Sequence, residues 1–174
     1  RFAIPGSGLT SVDIQRHRQA LAKLNPSLII RSWGTNDYPA GVSNFAAAIE
    51  ADSAYVAENI PDADLISIAP YASIGRSVAN PPWSSFVEVI KEDAKKYNWF
   101  FVDMFEHMGD VGAGFDTHDF SGDGVHPNNR GLGVWSQALR RRLTLPHVPS
   151  RRFVDQDGVV PFIGALNTKY GSSG

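Results

Sequence analysis

The chain has 174 residues, of which 43% are hydrophobic and 11% aromatic, which is enough for one ordinary domain with a buried core. Charged residues make up 20%, the formal net charge is -2 and the isoelectric point is about 6.2, so the chain offers no basic field to nucleic acid or anionic lipid. No apolar run approaches the roughly 18 to 20 residues of a membrane span, and the lack of cysteine excludes disulfides and thiolate chemistry.

Helical and strand patterns alternate along the chain. A capped helix is predicted between Val12 and Leu24 and ends before Pro26. Short apolar runs predict buried strands at 28–30, 65–69 and 99–102. Apolar residues at helical spacing predict three further helices, marked by Phe45, Ile49, Val56 and Ile60, then by Trp83, Phe86, Val87, Ile90, Ala94 and Tyr97, and last by Trp135, Ala138, Leu139 and Leu143.

This alternation predicts a parallel sheet covered on both faces, which is a three-layer α/β/α domain. In such sheets the functional site lies at the carboxyl ends of the strands. We assign the domain to residues 1–146. Residues 147–174 break the rhythm with Pro149, Pro161 and several glycines, so we interpret them as a C-terminal extension or linker.

The most informative stretch is Asp123-Gly124-Val125-His126-Pro127, directly before the last predicted helix. An acid three residues ahead of a histidine, in a turn fixed by Gly and Pro, lets the carboxylate accept from the imidazole Nδ1 and leaves Nε2 free as a base. The alternative is a loop in which polar residues cap a helix beside a surface histidine.

A second stretch, Gly34-Thr35-Asn36-Asp37, follows a predicted buried strand. The Asn36 amide there can donate to a developing oxyanion, and a backbone N–H near Gly6 could approach the same oxygen. Taken alone, this stretch is typical of an ordinary turn between a strand and a helix.

Together, Gly6, then Gly34-x-Asn36-Asp37, then Asp123-x-x-His126-Pro127 resemble conserved blocks of the SGNH (GDSL) hydrolases, over residues 1 to about 145. The resemblance implies a flavodoxin-like parallel sheet and esterase or lipase activity. It also implies roles for four residues. His126 would be the base, Asp123 would orient it, and Gly6 and Asn36 would be the oxyanion-hole donors.

The chain departs from the family in one respect, because the Gly-Asp-Ser block that carries the nucleophilic serine occurs nowhere in it. Ser7, Ser32 and Ser121 do not stand in such a block, so we assign none of them as the nucleophile. In the family that block follows the first strand, which lies inside the sheet and would here be missing. We therefore expect an upstream polypeptide segment to complete the sheet and to supply the serine.

The expected activity is that of a carboxylic ester hydrolase with an acetylated glycan or a lipid ester as substrate, and carbohydrate O-deacetylation is favoured. Trp33, Tyr38 and Trp83 are candidates to line a sugar site or, alternatively, to belong to the core. No metal or organic cofactor is expected. The alternative function is a non-catalytic binding or structural module of a larger surface or virion assembly. A secreted, extracellular or virion-associated location is favoured.

Three other features have weaker functional interpretations. Asp119-x-Ser121-x-Asp123-Gly124 matches the start of a calcium-binding loop, but Arg130 stands where a bidentate Glu is required. The histidines at positions 107, 118 and 126 lack the spacing of a helical metal pair. Asp103, at a strand end, is expected to cap a turn or helix.

Overall fold

The computed structural model describes residues 7–11, 14–73, 79–108 and 120–143. In these ranges strands and helices alternate as the sequence predicts, and a short 3-10 helix precedes the second helix. The elements in chain order are α1 (Ile14–Leu24), β1 (Leu28–Ser32), the 3-10 helix (Tyr38–Ala40), α2 (Val42–Asn59), β2 (Asp64–Ala69), α3 (Trp83–Tyr97), β3 (Phe100–Asp103), α4 (Met104–Met108) and α5 (Asn129–Leu143).

The three strands form one parallel sheet in the order β1-β2-β3, with Ile30 beside Ile66 in the first pair. Because the strands are parallel, their last residues, Ser32, Ala69 and Asp103, meet at one end of the sheet, which we call the carboxyl end. The loops that follow these residues are therefore the natural place for a functional site.

Helices cover both faces of the sheet. On one face α2 and α3 contribute a buried aromatic cluster that includes Phe45, Trp83 and Phe86. On the other face α4 and α5 pack Met104 and Ala138 against the strands. The three-layer α/β/α architecture predicted from the sequence is confirmed.

One edge and one face of β1 are open in the described part of the chain. All residues of β2 after the first are buried, whereas in β1 Leu28 is 40% exposed and Ile30 is 47% exposed. Among the described residues, β1 pairs with β2 on one side and with no strand on the other. The exposed apolar side chains of β1 are therefore suited to pack against a further segment of polypeptide.

Two local predictions differ from the structure. β3 begins one residue later than predicted, because Asn98 ends α3 in the left-handed conformation (φ 59°) and the N–H of Trp99 donates to the Ala94 carbonyl at 2.9 Å. Trp99 thus closes the helix instead of starting the strand. The short helix α4 was not predicted, since its five residues are too few for a periodic signal.

A buried ion network joins β1 to the helices on one face. Arg31 in β1 contacts Asp93 of α3 and Asp52 of α2, and Arg18 of α1 donates to Asp52 at 3.1 Å. All four side chains are buried. Arg31 also donates to Ser53 at 2.8 Å, so the guanidinium replaces its hydration with protein oxygens.

Within the described ranges, none of the helices combines the length and the apolarity needed to cross a membrane. The proposed extension at 147–174 lies outside the described residues.

Candidate active site

The turn from Asp123 to His126 lies between the carboxyl end of the sheet and α5. The His126 Nδ1 and an Asp123 carboxylate oxygen, Oδ2, are 2.7 Å apart. The other oxygen, Oδ1, accepts from the backbone N–H groups of Val125 (2.9 Å) and His126 (2.7 Å). A backbone bridge between Ser121 and Pro127 closes the turn. The acid and the imidazole that the sequence singles out are therefore in direct contact.

The electrostatics of this pair favour an ionised acid. The imidazole of His126 and then the backbone N–H groups of His126 and Val125 hold the pKa of Asp123 well below its usual range. An ionised carboxylate against Nδ1 keeps the proton on that nitrogen and leaves Nε2 as the acceptor. The His126 side chain is 80% exposed, so its Nε2 can be reached by a reacting group.

The turn is fastened to the helix that follows it. The Asn128 side-chain oxygen accepts from the N–H groups of Arg130 (2.9 Å) and Gly131 (3.0 Å), which caps α5. The Asn128 N–H donates to the Phe120 carbonyl at 2.8 Å. A side chain at Gly131 would lie 2.4 Å from that carbonyl oxygen, so the close approach requires glycine.

Asn36 follows β1, also at the carboxyl end of the sheet, and its side chain is exposed. Its amide donates to the Ser7 carbonyl at 3.1 Å. An amide has two N–H donors, and this contact uses one of them. Gly6, the other proposed oxyanion donor, lies outside the described residues, but Asn36 contacts the residue that follows it in sequence.

Asp37 ties the Gly8–Thr10 segment to the turn that carries Asn36. The fully buried carboxylate accepts from the Thr10 N–H at 2.7 Å, from the Thr10 hydroxyl at 2.9 Å and from the Gly34 N–H at 3.0 Å. A Cβ at Gly8 would lie 2.6 Å from Asp37 Oδ1. From the sequence, Asp37 is predicted only to lie in a turn. In the structure its carboxylate links the turn that carries Asn36 to the Gly8–Thr10 segment.

The turn that carries Asn36 and the turn from Asp123 to His126 both lie at the carboxyl end of the sheet. Asn36 follows β1, and Tyr71, which follows the neighbouring strand β2, donates a hydrogen bond from its hydroxyl to the carbonyl of Val125 within the Asp123–His126 turn. Tyr71 carries no sequence signal for this role, because the Val125 carbonyl is a backbone atom far along the chain.

The three aromatic residues considered for a sugar site lie in different environments. Trp83 is fully buried, stacks on Phe86 and donates from its indole N–H to the Pro70 carbonyl at 2.9 Å, so it belongs to the core. Tyr38 packs against the same two rings. Trp33 is half-buried beside His17, with the ring centroids 5.9 Å apart, and lies three residues before Asn36 in the same turn.

Asp103 caps α4, as predicted, since its Oδ1 accepts from the Glu106 N–H at 2.9 Å. Burial raises the pKa of this carboxyl, and the same N–H offsets part of the rise. His107 is exposed on α4. In the part of the chain that the structure describes, no three carboxylate or imidazole groups are placed to hold a metal ion. Asp119 and His118 lie outside it.

Ser121 is not placed as a nucleophile. It is 1% exposed, and its hydroxyl donates to the backbone carbonyl of His126 at 2.7 Å instead of facing the imidazole. Ser32 is exposed at the end of β1. Ser121 therefore offers no activated hydroxyl to the imidazole.

The three-layer fold is that of the SGNH hydrolases. The chain belongs to the GDSL-like Lipase/Acylhydrolase family, which it matches over residues 1–133. Membership of this family supports hydrolase activity of the esterase type. No curated protein matches the sequence.

Solved structures with the same fold include Axe2, an acetylxylan esterase from Geobacillus stearothermophilus, at 21% identity and a TM-score of 0.64, covering 84% of this chain and 72% of that one. A protein from Lactobacillus plantarum is 18% identical with a TM-score of 0.68, covering 82% and 79%. LAE5, an alpha/beta hydrolase enzyme from the metagenome of Lake Arreo in Spain, is 15% identical with a TM-score of 0.61, covering 78% and 67%.

Proposed function

We propose that the protein is a serine esterase that works by acyl transfer, with His126 as the general base and Asp123 as the group that orients it. The observation that carries the proposal is the 2.7 Å contact between His126 Nδ1 and an Asp123 carboxylate whose low pKa keeps it ionised. This contact leaves the exposed Nε2 as the proton acceptor that a serine nucleophile requires.

The reaction takes two steps. A serine hydroxyl attacks the ester carbonyl while His126 Nε2 takes its proton, and the second N–H of Asn36 with a backbone N–H at Gly6 stabilises the negative oxygen. His126 then passes the proton to the leaving alcohol. Water repeats the sequence on the acyl-enzyme, which releases the acid and restores the serine. The residues of this chain thus hold and move the proton, and the serine comes from outside it.

The open side of β1 supports an upstream segment as the source of that serine. A trough of about 870 Å³ is lined by the outer side of β1, by α1 and by the turn that carries Asn36. Its apolar lining includes Leu21 and Leu24 of α1 together with Leu28 and Ile30 of β1. A strand paired with β1 there would run parallel to the sheet and end beside Asn36, where the nucleophile is needed.

An acetylated glycan is the proposed substrate class, and a lipid ester is the alternative. Support comes from the shared fold with Axe2, which is an acetylxylan esterase. Trp33 is the aromatic side chain suited to contact a sugar, since it is half-buried and follows β1 at the carboxyl end of the sheet, three residues before Asn36. Aromatic faces and sugar rings pack through their apolar sides.

The test is hydrolysis of p-nitrophenyl acetate and of acetylated xylooligosaccharide by residues 1–174 together with the proposed upstream segment, a combination that we call the intact protein. We expect both to be hydrolysed, and we expect His126→Ala to reduce the rate by at least about 10³-fold, as loss of a triad base does. His107→Ala, which removes an exposed imidazole on α4, is the matched control and should keep full activity. A folded protein that hydrolyses neither ester and binds an acetylated glycan would instead be the non-catalytic module.

A further inference from the structure

Two buried hydroxyl groups hold the backbone of the Asp123–His126 turn. Tyr71 is 4% exposed, and its hydroxyl donates to the carbonyl oxygen of Val125. Ser121 is 1% exposed, and its hydroxyl donates to the carbonyl oxygen of His126 at 2.7 Å. These two carbonyls are consecutive along the chain. The peptide unit before His126, which includes the Val125 carbonyl, is therefore held by Tyr71, and the unit after it, which includes the His126 carbonyl, is held by Ser121.

The His126 ring depends on such backbone control. Its side chain is 80% exposed, so packing against other residues contributes little to its orientation. The peptide unit that includes the Val125 carbonyl also presents the N–H of His126 to Asp123 Oδ1 at 2.7 Å. A rotation of this unit would move both the imidazole and the N–H that binds the carboxylate.

Tyr71 is well placed as a fixed point. It follows β2 at the carboxyl end of the sheet and belongs to the buried cluster that contains Ile66, Ile68 and Met104. Burial, helped by the negative charge of Asp123, raises the pKa of Tyr71 to about 12. The phenol therefore stays protonated and keeps its donor at any pH where an esterase would work.

We propose that Tyr71, assisted by Ser121, is a positioning residue that sets the orientation of the His126 imidazole against Asp123. The proposal rests on the proposed function, because it assigns Tyr71 a part in holding the catalytic base. Tyr71 acts through the Val125 carbonyl and through its contact with the Ser121 side chain, and it takes no part in proton transfer.

The experiment compares Tyr71→Phe with Tyr97→Phe in the intact protein. Tyr97 is a matched control, since its hydroxyl also donates to an oxygen, Glu50 Oε1 at 2.8 Å, and its pKa is likewise raised by burial to about 12. It lies at the end of α3, at the opposite end of the sheet from His126. Each substitution removes one hydroxyl and keeps the ring.

The readouts are the 15N chemical shifts of His126, which report which ring nitrogen carries the proton, and the split between kcat and KM. We expect the parent and Tyr97→Phe to hold the proton on Nδ1. In Tyr71→Phe we expect a mixture of the two tautomers and a fall in kcat of about 10-fold or more with little change in KM, because a loosened base is misplaced during proton transfer. Ser121→Ala should show the same shift.

A merely structural role for Tyr71 would lower the melting temperature and leave the His126 tautomer as in the parent, and that result would overturn the proposal. A parent that hydrolyses no ester, combined with a tautomer shift in Tyr71→Phe, would refute the proposed esterase and still support the positioning role. If Tyr71→Phe fails to fold, an unchanged tautomer in Ser121→Ala refutes the paired positioning of the turn.

Discussion

At the scale of single residues, the Asp123 carboxylate shows how an exposed acid can be specialised. Its side chain is 56% exposed, yet the imidazole of His126 and two backbone N–H groups keep its pKa well below the usual range. Hydrogen bonds to the charged form, and not burial, produce this shift. The carboxylate can therefore remain ionised in contact with solvent, which suits a group that orients a base without taking up its proton.

The Asn36 side chain gives the first residue-scale prediction. We expect Asn36→Ala to lower kcat by roughly 10² to 10³-fold with KM almost unchanged, because an oxyanion donor acts mainly in the transition state. The measurement is steady-state hydrolysis of p-nitrophenyl acetate by the intact protein. The matched control is Asn59→Ala, which removes an amide that donates to the Tyr55 carbonyl at 2.9 Å near the end of α2. A rise in KM alone would make Asn36 a binding or structural residue.

Gly8 gives the second residue-scale prediction, this time on stability. An alanine Cβ would lie 2.6 Å from Asp37 Oδ1 and 3.0 Å from the backbone of Asn36, so Gly8→Ala should destabilise the protein by about 1 to 3 kcal/mol and also reduce kcat. Gly133→Ala is the control, since a Cβ at that position in α5 meets nothing within 4 Å. Alanine there should stabilise by about 0.5 to 1 kcal/mol.

Chemical denaturation of the two variants separates these effects, because both replace glycine by alanine. Equal stability of Gly8→Ala and the parent would show that the Gly8–Thr10 segment can move away from Asp37 without cost. Asn36 would then have to be held by contacts other than this one.

At the scale of elements, the sequence predicts the helices and strands well because their apolar residues recur at regular spacing. The same pattern could not show why Arg31, a charged residue, continues β1 beyond the predicted Ile30. Its partners Asp52 and Asp93 come from α2 and α3, and only the folded chain brings them together. Distant pairing of this kind leaves no local signal in the sequence.

In the candidate site, too, local contacts could be predicted from the sequence and distant contacts could not. The Asp123–His126 contact could be predicted, because both residues lie in one short turn whose Gly and Pro limit its conformations. The hydrogen bond from Tyr71 to the Val125 carbonyl and the hydrogen bond from the Thr10 N–H to Asp37 could not be predicted, because each joins segments that are far apart in the chain.

The ion network of Arg31 gives the element-scale prediction. We expect Arg31→Met to destabilise the fold by about 3 to 5 kcal/mol, since it leaves two buried carboxylates without their shared cation. Burial already raises the pKa of Asp93 above its usual 3.8, and Arg31 offsets part of that rise. A folded pKa above the unfolded one means that stability is greatest at low pH and falls as pH rises through the folded value.

Removing Arg31 should therefore make the stability of the fold decrease more steeply as the pH rises. Denaturation at about pH 4 and about pH 7 should show a larger fall in stability for Arg31→Met than for the parent, and Arg31→Met combined with Asp93→Asn should reverse most of the excess. The exposed pair Lys95–Glu92, with 3.4 Å between its charged atoms, supplies the control. Lys95→Met should change stability by less than about 1 kcal/mol at either pH.

At the scale of the whole molecule, the sheet formed by the described residues is covered by helices more completely at β3 than at β1. β3 is covered by helices on both faces, whereas Leu28 and Ile30 of β1 remain partly exposed along the trough. The N–H of Asp64 donates to the Ser27 carbonyl at 2.9 Å. Since backbone groups alternate in direction along a parallel strand, those of Leu28 and Ile30 face away from β2.

The last prediction concerns the segment that we propose to pair with this edge. Residues 1–174 alone should be poorly folded and should not hydrolyse p-nitrophenyl acetate above background, because unpaired backbone groups and exposed apolar side chains on β1 weaken the sheet, and an oriented base without a nucleophile gives little catalysis. Adding the upstream segment, in the same chain or as a second polypeptide, should restore cooperative unfolding and an activity that His126→Ala abolishes.

Amide hydrogen exchange then locates the contact between the upstream segment and β1. The Ile30 amide should become protected on addition of the segment, and the Ile66 amide in the interior strand β2 should be protected in every folded sample. A monomeric and fully active chain of 174 residues would refute the proposal, because its nucleophile would have to lie between Arg1 and Gly174.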